Sequence, residues 1–434
     1  MWRSVLAWLI IGSLVTLFLW GIYQTPVAED LQSRTFGFYQ TDPVLFGDLG
    51  LVPIRWLQYL VIGVAAFGVA WVVIEIPRTS HRILFAAMAI AVVIGLSPAL
   101  AIYAKLFEPL TGTVAVLMSL GLGLIYTASE WGRRKHHLSE VFGGQVNKAT
   151  MAELLNQKAP PALEGDQHDV VILTVRLFNH GELAESMEPG ELVELTNQFL
   201  SATSEFLCVR GGYLDESSPD CVRVFFGLPV ADPQAPKNAC GAALELRLRL
   251  ANLAVECESQ WTQRIEYGIA LCAGSVTSGI FGESRQRHFS AVGSQVDLCR
   301  RLTIANRTYG SRILADSGTY HSATTDYEFR PLDRFFVPGS EVVTEFYELL
   351  EPKGRLSKAA EESREHFWEG IIHLRNQKAK EALAAFEKAR EVAGPKAIDP
   401  PLLHYLEEAR EMAKSGNRKL GARSTEDIQQ IGSL

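Results

Sequence analysis

Four long apolar runs before residue 130 constrain this chain more than any other feature. "SVLAWLIIGSLVTLFLWGIY" (Ser4 to Tyr23) carries no charge, and Trp56 to Ile76 carries only Glu75, near its end. Ile83 to Tyr103 is broken by "SPA" around Pro98, and Leu110 to Ala128 completes the set. A helix of about 20 residues rises about 30 Å, the thickness of a bilayer's hydrocarbon core. The expectation is a four-helix transmembrane domain over residues 1–128, in contact with lipid. A cleaved leader competes for the first run, since Arg3 gives it a basic start; its length and the three runs that follow argue for a span.

The short loops set the orientation. "PRTSHR" (77–82) and "GRRKHH" (132–137) are basic and belong on the cytoplasmic side. The 24–55 segment sets Glu29, Asp30, Asp42 and Asp48 against Arg34 and Arg55, which suits the outside. An even number of spans then leaves both termini in the cytoplasm, as in a multi-pass protein of the inner (cytoplasmic) membrane. The outer loop is small for a sensor domain and is expected to pack on the membrane face or on a partner.

After the spans the composition becomes that of an ordinary water-facing protein. All six cysteines (Cys208, Cys221, Cys240, Cys257, Cys272, Cys299) fall here without a CxxC pair or metal spacing, which reads as free, mostly buried thiols. The net charge of -8, with no basic stripe beyond the juxtamembrane cluster, argues against nucleic acid as a partner. Residues 129–168 read as a juxtamembrane helix broken at Gly143-Gly144, its basic cluster meeting anionic headgroups, followed by a linker at "KAPPALEGDQH".

"DVVILTVRL" (169–177) reads as a buried strand. A helix from Pro189 to Gly211-Gly212, a hairpin at "GGYLDESSPDCVRVFFG", a second helix, the strand "RIEYGIALCAGSV", a third helix at "SQVDLCRRLTIAN" and the strand "SRILAD" follow. That order predicts a ferredoxin-like α+β core over 169–352. Residues 360–415 carry Trp368, Gly370, Leu374, Ala382, Phe386 and Ala389 in the pattern of one tetratricopeptide-type (TPR-like) helix pair plus a further helix. One repeat cannot form a solenoid alone, so it is expected to dock on its own domain or on a partner. Residues 416–434 read as disordered.

Three segments sharpen this. "VILTVRLFNHGELAE", "GGYLDESSPDCVRVFFGLP" and "GSVTSGIFGESRQRHFSAVGSQVDLCRRL" resemble, in order, the first strand, the hairpin and the glycine-spaced stretch of the class III adenylyl and guanylyl cyclase homology domain. "FRPLDRFFVPGSEVVTEFYELL" resembles its closing strands, and "SEVFGGQVNKATMAELL" the helix that enters membrane-bound bacterial members. The resemblance implies dimers with the site at the subunit interface. Two aspartates there hold two divalent metals, which activate the ribose 3′-hydroxyl and steady the triphosphate. A lysine and an aspartate select the base; an asparagine and an arginine position ribose and phosphates.

Matched residue by residue, most of these roles are altered. The first metal aspartate is replaced by Arg176, a guanidinium that can only donate and repels a cation. The second metal position keeps its aspartate, Asp220. Glu216 stands at the base-selecting lysine and Ser294 at the base-selecting aspartate. Asp297 stands at the ribose-positioning asparagine. Arg301 keeps the phosphate position. The chain therefore keeps neither complete half-set that an asymmetric cyclase dimer needs.

Arg176 is expected to pair with Asp220 and neutralise it, against the alternative of a solvent-facing arginine in an open cleft. Asp215 reads as a strand-end or turn residue. Arg301 is either a phosphate ligand or a satisfied helix-face arginine. His180 and His288 read as loop residues, the "GSVTSGIFG" glycines as strand ends and a turn, and Trp368 and Phe386 as helix-pair core. The resulting expectation is a catalytically inactive, membrane-bound cyclase-like protein with a regulatory, scaffolding or ATP/GTP-sensing role. It would work as a homodimer or with a membrane-complex partner, and would need no cofactor. An active or conditionally active cyclase, using magnesium or manganese on Asp220, and a structural subunit of a larger membrane assembly are the alternatives.

Overall fold

Each apolar run forms one helix. The computed structural model describes residues 2–40, 51–76, 79–129, 138, 141–156, 165–282, 288–336, 343–394, 397–415 and 423–424. The chain divides into two compact units, Met1–Glu140 and Val141–Leu434.

The first unit holds α1 (Trp2–Tyr23), α2 (Pro26–Gln40), α3 (Arg55–Glu75), α4 (Thr79–Ala101) and α5 (Pro109–Ala128), with a parallel bridge between β1 (Val52–Pro53) and β2 (Lys105–Leu106). Four of these helices, α1, α3, α4 and α5, are long and apolar enough to cross a membrane. Ile11, Val15, Leu19, Ile62, Ala66, Ala70 and Ala115 pack between them. Small residues allow close approach, which matters where lipid tails are as apolar as leucine: a Cβ on Gly123 would meet Val73 Cγ1 at 2.7 Å. One end is tied by polar contacts. Gln58 Nε2 donates to the Glu108 carbonyl at 2.6 Å and to Thr111 Oγ1 at 2.7 Å, while the Glu108 carboxylate caps α5 through Leu110 N and Thr111 N.

Two sequence expectations change in this unit. Pro98 lies inside α4 and does not break it, the helix running on to Ala101. The 24–55 segment contains a helix, α2, anchored where Tyr39 Oη donates to Ser97 Oγ at 2.7 Å. Residues 41–50 of that segment, the basic stretch 132–137 and linker residues 157–164 lie outside the described residues.

The second unit is built on β3 (Asp166–Leu177). Its centre is apolar and β-branched, and every residue from Val170 to Val175 is buried, so the strand can sit only inside a sheet covered on both faces. It begins at Asp166, earlier than its apolar run suggests, because 166–169 pair with β6 (Tyr267–Phe281) while projecting polar side chains. The other strands are β4 (Tyr213–Ser218), β5 (Cys221–Phe226), β7 (His288–Val292), β8 (Ile313–Asp316), β9 (Tyr327–Phe336), β10 (Val343–Pro352) and β11 (Arg423–Ser424). The sheet order is β11-β9-β10-β8-β6-β3-β5-β4, with β7 paired to β6. Its β6-β3-β5-β4 portion has the order of a ferredoxin-like core, inside a larger mixed sheet. Of the tail beyond 415, only β11 is described, paired in parallel with β9; the rest of the segment read as disordered lies outside the described residues.

Helices α6 (Lys148–Asn156), α7 (His180–Ser186), α8 (Pro189–Leu200), α9 (Phe206–Val209) and α10 (Ala235–Trp261) lie between or before these strands. Residues 143–146 form a turn ahead of α6, at the Gly143-Gly144 position where the sequence breaks the juxtamembrane helix. Val171, Leu173 and Val175 face a core with Leu195, Phe199, Ala239, Ala243 and Leu246. The alternate residues of β3 face the other way, towards α11 (Ser294–Tyr309), whose Cys299 Sγ lies 3.6 Å from the Ile172 carbonyl and 3.5 Å from that of Ala270. Helix α11 stops at Gly310, which takes φ +66° with Pro400 packed where a Cβ would stand. Helix α12 (Ser317–Ala323) leads into the closing strands.

The tail forms α13 (Lys358–Arg375), α14 (Ala379–Ala393) and α15 (Pro400–Ser415). Phe386 is buried against Gly370 and Phe367. The tail docks on its own domain. Arg330 of β9 bonds Asp399 at 2.6 and 2.7 Å and Glu348 at 2.6 Å, its guanidinium stacked 4.7 Å from the Phe367 ring centre. Arg364 pairs with Glu328, and Arg375 with Glu345. Because Arg330 is buried, its removal strands Glu348 without a partner. Arg330→Ala is expected to cost about 3–5 kcal/mol and to lower the thermal unfolding midpoint of the detergent-solubilised chain; an unchanged midpoint contradicts the docking.

Candidate functional site

Strand register decides which side chains meet. Arg176 of β3 lies opposite Cys221 of β5, and Thr174 opposite Arg223. Strand side chains alternate between faces, so Arg176, Thr174, Cys221 and Arg223 share one face. Across the next pairing Glu216 of β4 lies opposite Arg223 and Ser218 opposite Cys221. Charged residues from three adjacent strands are thus collected on one surface.

Asp220 sits in the turn between β4 and β5, held there by its carbonyl, which accepts Leu177 N at 2.8 Å. Arg176 Nη2 lies 3.3 Å from Asp220 Oδ2, each side chain 34% exposed. The expected pair forms, although its closest approach is longer than the roughly 2.7–2.9 Å of a tight charge-assisted bond. Ser218 Oγ donates to the other carboxylate oxygen at 3.4 Å.

A second cluster lies deeper, and Asp215 belongs to it. Arg223 reaches Asp215 Oδ2 through Nε at 2.8 Å and Nη2 at 2.7 Å, and Glu216 through Nη1 at 2.9 Å. Ser290 of β7 donates its hydroxyl to Asp215 Oδ1. The Asp215 side chain is only 1% exposed, which overturns its reading as a strand-end or turn residue. The cause is a register shift between Leu214 and Glu216, an irregularity that re-aims a side chain. Burial works against the Arg223 charge, but Asp215 and Glu216 more than offset it and leave the guanidinium pKa above its ordinary value. Sequence reasoning missed Arg223. The available signal was one arginine in the otherwise apolar "CVRVFF", two residues from Cys221 and so on the face that Arg176 shares.

A third pair lies on α11. Arg301 holds Asp297 one turn earlier through Nη2 at 3.0 Å and Nε at 3.2 Å. Ser294 is the first residue of that helix. His180 opens α7, with Nε2 3.4 Å from Thr196 Oγ1, and His288 opens β7 against Phe281; neither stays in a loop. The "GSVTSGIF" stretch lies within β6, with only Gly282 beyond it.

Every charged group named for the site thus has a partner of opposite sign within the chain: Arg176 with Asp220, Arg223 with both Asp215 and Glu216, Arg301 with Asp297. A divalent cation on Asp220 would sit beside the Arg176 guanidinium, which has no lone pair to offer and carries the same sign. These residues do not fit the two-metal site that the resemblance implies.

No family model matches the chain. Among curated proteins it is 25% identical over 186 residues to adenylate cyclase 1 of Rhizobium meliloti, covering 42% of this chain and 28% of that protein. It is 23% identical over 322 residues to an uncharacterized protein of Mycobacterium tuberculosis, covering 74% of this chain and 51% of that one. The chain therefore spans about a quarter to a half of the length of these relatives. Similar solved structures are the adenylyl cyclase CyaB from P. aeruginosa (23% identity, 45% of this chain, 100% of that chain, TM-score 0.41) and the guanylyl cyclase Cya2 (23%, 44%, 97%, 0.41).

The closed packing of this face also governs its thiol. Burial first, then Glu216 and Asp220, push the Cys221 pKa up to about 12, despite the two arginines beside it. The thiolate is the reactive form, so Cys221 stays protonated well above neutral pH. Iodoacetamide at pH 8 is expected to label Cys221 far more slowly in the native chain than in the denatured one, as followed by peptide mass spectrometry. Equal rates contradict the described packing.

Proposed function

We propose that this is a membrane-anchored, cyclase-like signalling protein whose cyclase domain no longer carries out two-metal chemistry. Its role is regulatory, scaffolding or nucleotide-sensing, and it acts as a homodimer or within a membrane complex. One observation carries the reading: each charged residue at the positions that would hold metals, base and phosphates is already ion-paired within the chain, Arg176 with Asp220, Glu216 with Arg223 and Asp297 with Arg301. Four apolar helices support the anchor. The match to an adenylate cyclase supports the cyclase-like domain. The helical tail, in this reading, is a single TPR-like pair used to brace its own domain.

Binding a nucleotide triphosphate here requires breaking existing ion pairs, since Arg301 already holds Asp297 and Glu216 already holds Arg223. An ionised Asp297 repels phosphate where an asparagine would donate to ribose. The competing reading, an active cyclase working with one metal, draws on the partial exposure of Asp220.

Turnover by the full-length chain in membranes separates the two. With ATP or GTP and either magnesium or manganese, the expected result is no cyclic nucleotide above that of a membrane control. Nucleotide binding without product favours the sensing role. Cyclic product that disappears in Asp220→Asn overturns the proposal.

A further inference from the structure

The sheet ends at β4, and an edge strand offers unpaired backbone groups to whatever lies alongside. Here the segment leading into α6 lies alongside. Leu214 N donates to the Gln145 carbonyl at 2.8 Å. The Tyr213 hydroxyl lies between two acceptors for its one proton, Gln145 Oε1 at 2.9 Å and the Phe289 carbonyl. Asn147 Nδ2 donates to the Cys208 carbonyl at 3.1 Å, and Asn147 Oδ1 accepts Thr150 N in the first turn of α6. Phe142 is fully buried, edge-on to Phe289 at 5.0 Å and to Tyr213 at 6.1 Å between ring centres.

The residues gripped by this segment neighbour the charge cluster in sequence. Leu214 precedes Asp215, and Phe289 precedes Ser290, so the β4 and β7 backbones that Phe142 and Gln145 hold together are those whose next side chains make the Ser290–Asp215 bond. We infer that residues 142–147 are a clasp: by fastening β4 to β7 they position Asp215, and through it Arg223 and Glu216. Release of the clasp frees the edge of β4 and loosens the Asp215–Arg223–Glu216 cluster. This deepens the reading above by assigning a regulatory input to the same face, but the clasp itself stands on contacts independent of that reading.

Hydrogen–deuterium exchange on the full chain in lipid nanodiscs tests it. Phe142→Ala is expected to raise exchange at 213–218 and 288–292 by about tenfold or more, as local opening does when buried contacts are removed. Peptides from β8 and α13 should keep their protection. Tyr213→Phe keeps the ring but removes the hydroxyl shared by Gln145 and Phe289, and should raise the same peptides by a smaller factor. Because coupling is reciprocal, Asp215→Asn should raise exchange at 141–147. Phe386→Ala, a comparable truncation in the tail, should leave 213–218 unaffected. Unchanged protection at 213–218 and 288–292 in a folded Phe142→Ala chain overturns the inference. So does a uniform rise across the domain in both Phe142→Ala and Tyr213→Phe. Cyclic product from the wild-type chain would sink the proposed function and leave this result standing.

Discussion

A carboxylate on a half-buried sheet face needs a positive partner, because removing it from water without one costs several kcal/mol. Metal-using sites answer with cations. This chain answers with arginine: Arg176 beside Asp220, Arg223 between Asp215 and Glu216. The remainder of the second unit is arranged so that these pairs can exist. Strand β3 must be apolar enough to lie at the centre of the sheet, yet carry Arg176 one residue before its end, opposite Cys221 at the start of β5 and beside Asp220 in the turn that precedes it. Strand β4 must shift register at Asp215 so that this carboxylate turns inward to Arg223 and Ser290.

The two pairs differ in kind. Arg176–Asp220 is one third exposed and solvated on one side, a contact of the sort whose net worth is small. Asp215–Arg223 is doubly bonded, supported by a hydroxyl and buried on the carboxylate side, so losing Arg223 leaves an uncompensated charge inside the fold. The outer pair can therefore exchange partners with little cost, while the inner one is fixed unless β4 itself moves. The contacts of Phe142 and Gln145 with β4 and β7 bear on the inner pair.

Much of the architecture was legible in the sequence. The four long apolar helices follow from length and composition. The strands follow from β-branched runs, and the Arg176–Asp220 pair from two residue types at matched positions. The misses share a physical cause, which is dependence on partners distant in the chain. Asp215 looked like a turn residue because nothing local announces a register shift, and Ser290 lies 75 residues away. The polar start of β3 gains its place by pairing with β6, 275–278, and not through its own composition. Pro98 did not end α4, because a helix among apolar neighbours tolerates one missing backbone donor better than an isolated one. The docking of the tail rests on Arg330, whose partners Glu348 and Asp399 lie 18 and 69 residues away.

The central claim is that arginine has taken the place of the metal. Manganese binding, followed by electron paramagnetic resonance on the full-length chain, addresses it most directly. The account predicts no manganese site on the wild-type protein that depends on Asp220. It also predicts that Arg176→Asp, which returns a second carboxylate beside Asp220, creates one. A wild-type site that is lost in Asp220→Asn would contradict it.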